Sequence, residues 1–201
     1  MRFTRSLAAA AVLAAPLFAA AALPVAAEPY VVDKSHAAVT FRVSHLGFAD
    51  THGVFRNFDA EIDFNPDDIE AATVAFTIDA GSVDTFWEAR DKHVRSADFL
   101  DVENHPEITF VSKEVRLISA NEAELVGDVT LKGVTNEETF TVVLNKMGPS
   151  PFNKELTIAG FTVTGEIDRT DYGITYAAPA VGAIMPIRID IEASPKSQKG
   201  S

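Results

Sequence analysis

From residue 28 onward, apolar and polar residues alternate with period two over most of the chain. Val39, Phe41 and Val43 alternate with Thr40, Arg42 and Ser44, and Phe58, Ala60, Ile62 and Phe64 with Asp59, Glu61 and Asp63. The same spacing recurs in Val74, Phe76 and Ile78, in Ile108 and Phe110, and in Ala123, Leu125, Gly127, Val129 and Leu131. It returns in Phe140, Val142 and Leu144, in Phe161, Val163, Gly165 and Ile167, and in Ile187, Ile189 and Ile191. Successive side chains on a strand point to opposite faces, so each run predicts a strand with one apolar and one wet face. Eight such strands joined by short turns point to an all-β fold, a sandwich or a closed up-and-down antiparallel barrel. Closure removes the unpaired edges along which open sheets aggregate.

Small residues fall in phase with large ones on the apolar faces. Gly127 and Gly165 share parity with Val129 and Val163, and Ala60 and Ala123 are also inward. Glycine within a strand marks a bend, a bulge or a place that must stay empty. An eight-stranded barrel is just wide enough to be filled by side chains or to hold one small ligand. Corner bends explain each glycine singly; an internal channel explains several small residues together.

Alternation stops at FWEARDKHVRSADFL, residues 86–100, where six ionisable residues occupy the eight positions from Glu88 to Arg95. Thr85 followed by Glu88 has the form of a capping box, which predicts a helix of two or three turns ending near Ser96. The insertion is placed at about 84–96, crossing the barrel surface or mouth. Two roles are open for it. Arg90 and Asp91 can pair with each other or with backbone groups and fix its path, or Arg90, His93 and Arg95 can meet the polar head of a ligand whose tail fills the barrel.

The N-terminus has its own pattern. Arg2 and Arg5 precede an apolar run from Leu7 to Leu23, and Val25, Ala26 and Ala27 supply small residues for a signal peptidase. Residues 1–27 are read as a signal peptide, 28–193 as one domain and 194–201 as a flexible tail, with export to the periplasm. Without Arg2 and Arg5 the formal charge of −12 becomes −14, with 15 basic against 29 acidic side chains. Such a surface repels nucleic acid and anionic headgroups at long range, which excludes nucleic-acid partners and argues against adsorption on a membrane. There is no cysteine, so the core alone holds the domain.

Candidate chemistry is sparse. There is no G-x-S-x-G and no glycine-rich phosphate loop between a strand and a helix. Ser35 and Ser44 precede His36 and His45, and on a strand adjacent side chains face opposite ways, so neither pair makes a ready dyad. No catalytic residue is assigned. All five histidines, His36, His45, His52, His93 and His105, lie in the first half of the mature chain, which leaves zinc, copper or haem ligation as an alternative. Their spacing includes no H-x-H or H-x-x-x-H, so no metal ligand is assigned.

One long stretch is informative as a whole. SVDTFWEARDKHVRSADFLDVENHPEITFVS, residues 82–112, resembles the motif of the YceI-like family of periplasmic proteins. The resemblance continues through His36, VTFRVSHLGF with His45, Gly53, Phe55 and Phe58, then GDVTLKGVT, Gly160 with Phe161, and DRTDYGI at 168–174. It implies a lipocalin-like eight-stranded barrel with a helix-bearing insertion that holds a polyisoprenoid, and it supplies no enzymatic activity. The expected ligand is an isoprenoid quinone or polyprenyl lipid, with no required cofactor; a homodimer is left open. Interior and mouth residues expected to meet it are Phe41, Val43, His45, Phe58, Ile62, Phe76, Trp87, Arg90, His93, Phe110, Gly127, Phe161 and Gly165. Two departures from the family pattern add apolar residues: Phe86 with Trp87, and Ala183 to Pro186. They make a greasier mouth or are taken up by the core.

Overall fold

The computed structural model describes residues 27–198, so the expected leader lies outside it except for Ala27. Eleven strands appear in chain order: β1 (Glu28–Val32), β2 (Ala38–His45), β3 (Ala49–Phe55), β4 (Phe58–Phe64), β5 (Thr73–Asp79) and β6 (Val83–Asp84) come first. After the helix α1 (Glu88–Val94) follow β7 (Glu107–Ser119), β8 (Glu122–Leu131), β9 (Val134–Pro149), β10 (Thr157–Asp168) and β11 (Ile184–Pro195). All pairings are antiparallel. Eight strands close a ring in the order β1-β4-β5-β7-β8-β9-β10-β11, and β11 returns to β1 through Val32 opposite Ala193 and Tyr30 opposite Pro195. The barrel reading holds and the sandwich is excluded.

The remaining strands extend one end of the ring. β2 pairs with the first half of β11, Phe41 opposite Ile187, and continues through β3 to the two-residue β6. Beyond β6, the segment carrying α1 crosses this end and buries Leu100, with Val94, Phe99 and Val102 beside it, against Val129, Leu131, Phe140 and Ile167. A second cluster packs around Tyr30, Phe64, Phe76 and Ile191.

Three strands and part of a fourth escaped the alternation. β1 is short and begins Glu28-Pro29; β6 has two residues; β3 carries Gly53 where an apolar side chain would stand, because the Phe41 ring lies over that position. β7 is 13 residues long, and a bulge between Ser112 and Glu114 shifts its inward parity from Ile108 and Phe110 to Val115 and Leu117. A bulge adds one residue and turns every later side chain over, so a period-two reading ends at it.

The C-terminal boundary also moves. Ser194 and Pro195 are buried on β11 against β1, and Gln198 accepts a hydrogen bond from the Thr157 backbone at 2.7 Å. Ser194 and Pro195 thus continue the strand that closes the ring, and Lys196–Gln198 follow as a 3-10 turn.

Candidate functional site

The barrel encloses an apolar lumen of about 440 Å³. On β8 alone its lining runs from Glu122 and Ala123 through Leu125 and Val129 to Leu131, the length of the strand. At roughly 3.3 Å per residue and a tilt near 40°, the span from Ala123 to Leu131 is about 20 Å along the axis. Aliphatic and phenylalanine side chains line the middle. Polar groups collect at the helix end (Thr85, Arg90, His93, Arg169, His45 and Tyr176), and Asn121 and Glu122 lie at the other. Lining residues are also solvent-exposed at both ends, Tyr176 at 48% and Leu117 at 46%.

Nine expected interior residues line this lumen together: Phe41, Val43, His45, Ile62, Phe76, Arg90, His93, Phe110 and Phe161. Four do not. Gly127 and Gly165 leave no empty space: the ring of Phe110 occupies the position of a Gly127 Cβ, and that of Phe140 the position of a Gly165 Cβ. These glycines make room for aromatic rings from neighbouring strands, so the channel reading fails at both. Phe58 stacks on Phe76 at 5.4 Å between ring centres and stays within the core. Trp87 is 66% exposed on the outer surface, because α1 turns inward only after it.

The insertion is held by a hub that the capping-box pattern disguises. Trp87, not Thr85, is the N-cap of α1, and it offers no side-chain cap. Thr85 is buried: its backbone N–H and hydroxyl donate to Asp91 Oδ1, while its hydroxyl oxygen and carbonyl accept from Arg90 Nε and Nη2. Arg90 and Asp91 thus pair with Thr85 and its backbone rather than with each other. Arg95 donates to the carbonyls of Gly81 and Val83 at 2.8 and 2.6 Å. The charged run is mainly a fastening.

Arg169 was not singled out by pattern, although it stands in the DRTDYGI motif. It is 2% exposed and lines the lumen, and its guanidinium donates to the carbonyls of Gly182, Ile174 and Val181 at 2.9, 2.6 and 2.8 Å. Burial lowers its pKa from the ordinary value, yet guanidinium stays charged. One planar fork therefore ties down residues 174–182. Tyr176 on that loop meets His93 at 5.0 Å and Phe99 at 5.2 Å, and His93 meets Phe99 at 5.0 Å, so three rings wall the helix end of the lumen. His93 Nε2 also lies 2.9 Å from Asp98.

The histidines scatter. His36 is on a surface turn, His52 on β3, and His105 lies against Gly133. Among the described residues, no three His, Cys, Asp or Glu side chains are grouped to hold a metal. Ser35 and His36 do not lie on a strand: Lys34–His36 is a 3-10 turn, so strand parity does not separate them. Ser35 Oγ is 3.2 Å from His36 Nδ1 and donates to Asp33 at 2.6 Å, but Asp33 meets that same Nδ1 at 3.0 Å. Among the described residues, no carboxylate is hydrogen-bonded to the far nitrogen, as a triad needs.

Hydrogen bonds from Ser35 and then His36 hold the Asp33 carboxyl down at about 2, and Asp33 raises His36 above its ordinary 6.5. The Asp33 contribution to stability is present above pH 3.8 and lost as pH falls toward 2. That of His36 is complete below 6.5 and fades as pH rises through its folded value. An NMR titration is expected to show both displacements; a His36 midpoint at or below 6.5 contradicts the contact.

The family model of the YceI-like domain matches residues 30–193. The chain belongs to the YceI-like family. A UPF0312 protein of Staphylococcus epidermidis is 37% identical over 164 residues, 81% of this chain and 92% of its own. Among solved structures, the YCEI protein of Campylobacter jejuni aligns with TM-score 0.69 and 25% identity over 76% of this YceI-like chain and 90% of that one. Burkholderia cenocepacia BcnA aligns with TM-score 0.73 and 22% identity over 80% and 98%. A polyisoprenoid binding domain from Saccharophagus degradans aligns with TM-score 0.61 and 12% identity over 84% and 99%, a likeness of fold. The YceI-like barrel here has no helix, among the described residues, long and apolar enough to cross a membrane.

Proposed function

We propose that this protein sequesters or carries a polyisoprenoid, its tail extended along the lumen and its head at the helix end. The observation that carries the reading is an apolar lumen running the length of β8 with polar groups gathered at its ends. Its volume falls within the roughly 300–1,000 Å³ of small-molecule sites. A relative of the same fold is named for polyisoprenoid binding, and the family match spans the domain.

Each buried methylene contributes about 0.8 kcal/mol. Burial of this kind has no direction, so the tail supplies affinity and the helix end supplies choice. There Arg90 and Arg169 already donate to Thr85 and to loop carbonyls, while His93, Phe99 and Tyr176 present ring surfaces. That arrangement, inside a protein of charge −12, favours a neutral, flat, carbonyl-bearing head such as a quinone over a diphosphate. Export to the periplasm, with cleavage before Glu28, belongs to the same proposal and rests on the Arg2 and Arg5 leader pattern. Binding requires no catalytic group.

Gentle purification followed by organic extraction and mass spectrometry is expected to release a prenylated lipid at near one per chain. An extract without one, from protein that also takes up no added quinone or prenyl alcohol, sinks the proposal.

A further inference from the structure

Large apolar side chains stand in solvent around the helix end of the barrel. Phe48 is 89% exposed and Leu46 51% at the β2–β3 turn, Trp87 66% and Phe86 65% before α1, Tyr176 48% on the loop held by Arg169, and Ile184 46% at the start of β11. These elements are joined. The Leu46 N–H donates to the Ala180 carbonyl at 2.9 Å, Gly182 N–H to Ser44 at 2.8 Å, and His45 bridges to Val181. Tyr176, in contact with His93 of α1, both lines the lumen and faces solvent, so the lumen's apolar wall continues outward into this rim.

Two features argue that the exposure is maintained rather than incidental. Leu46 and Phe86 hold positive φ of 55° and 65°, a region that bulky residues rarely adopt. The arginines beside them are paired off: Arg42 with Asp50 and Arg56 with Asp84. An acidic protein thus presents at this end a rim of rings and aliphatic chains whose neighbouring arginines are already paired. Exposed apolar groups beside a binding mouth mark a docking surface, and aromatic side chains favour the boundary between lipid and water.

We infer that this rim docks on the surface of an electrically neutral lipid bilayer, so that a membrane-dissolved chain passes into the lumen without crossing water. The inference rests on the lipid-binding reading above, which requires a ligand insoluble in water. The apolar departures at Phe86, Trp87 and Ile184 are thereby placed on the rim and not in the core. Net acidity, which taken alone argues against adsorption on a membrane, here sets the lipid preference: the apolar rim supplies the attachment, and zwitterionic surfaces are bound better than anionic ones at low salt.

Trp87 is the chain's single tryptophan, so its emission reports docking directly. Phosphatidylcholine vesicles are expected to shift Trp87 emission to the blue, and brominated acyl chains to quench it. The double variant Leu46→Asp and Phe48→Asp, which leaves the lumen lining intact, is expected to weaken vesicle association by roughly tenfold or more. Lipid loaded from detergent should be unchanged in it. Emission that ignores vesicles, in protein whose extract still contains a lipid, overturns the docking inference and leaves the binding proposal standing. Quenching undiminished in the double variant overturns it as well. A protein that shifts and is quenched on vesicles yet neither carries nor takes up lipid retains the docking surface and loses the carrier.

Discussion

Replacing Val163 by tryptophan is expected to empty the barrel without unfolding it. Val163 sits in mid-β10, opposite Ile189 on one side and Val142 on the other, and all three line the lumen. An indole there has somewhere to go. Overpacking a filled core costs about 1–3 kcal/mol through strain, whereas a ring entering a cavity gains contacts. The melting temperature of Val163→Trp should therefore stay within a few degrees of the parent. Lipid binding should not survive. A plug halfway along removes the far half of the lumen from the tail, and even two lost methylenes, at about 0.8 kcal/mol each, exceed the 1.4 kcal/mol of a tenfold change. The check is lipid extracted per chain and uptake of added quinone beside a thermal melt. Full loading in a well-folded Val163→Trp protein would mean that the ligand lies elsewhere.

The second large effect belongs to stability. Arg169→Leu removes three donors at once, leaving the carbonyls of Ile174, Val181 and Gly182 without the partners that hold the loop. Each buried acceptor so stranded costs about 1–3 kcal/mol. Some regain water as the loop loosens, so a loss of about 4 kcal/mol is expected, among the largest for one substitution. For a domain of this size that lowers the melting temperature by roughly 10 °C. Arg169→Lys should recover little, since one ammonium cannot reproduce a planar fork aimed at three oxygens. A lysine variant melting with the parent would show that charge alone suffices there.

Both residues bear on what the sequence can disclose. Val163 was placed by alternation, and alternation works wherever a strand is regular, as along β4, β8, β10 and β11. It fails where the physics is not periodic. The bulge after Ser112 reverses parity within β7, and Gly53 replaces an apolar side chain because Phe41 fills its place. Glycine is silent about which neighbour needs the room: Gly127 and Gly165 suggested emptiness and instead accommodate Phe110 and Phe140. Aromatic rings in phase on adjacent strands were the available signal. Thr85 looked like a helix cap because a capping box and a buried hydroxyl hub share the same letters; only the path of the chain separates them. Arg169 lies 13 residues from its Gly182 partner, and nothing in local pattern announces an arginine that serves backbone carbonyls.

What remains legible is the division of labour. Period-two strands build an apolar interior, and interruptions in the pattern mark the end where polar groups gather. Trp87 shows the limit of that reading, because alternation cannot say whether an apolar residue outside a strand is covered or faces solvent; Ile184, the first residue of β11, has the outward parity of Arg188 and Asp190. The structure places both outside.

The measurement that bears most directly on the account is a chain-length series: affinity for quinones that share one head and carry tails of increasing length. Burial along a lumen of about 20 Å predicts that affinity climbs with each added unit until the tail spans from His45 to Ala123, then levels off as further carbons return to water. In Val163→Trp no tail length should restore the affinity lost to the plug. Affinity that is indifferent to tail length, with the head alone setting its value, would contradict an extended chain in the barrel.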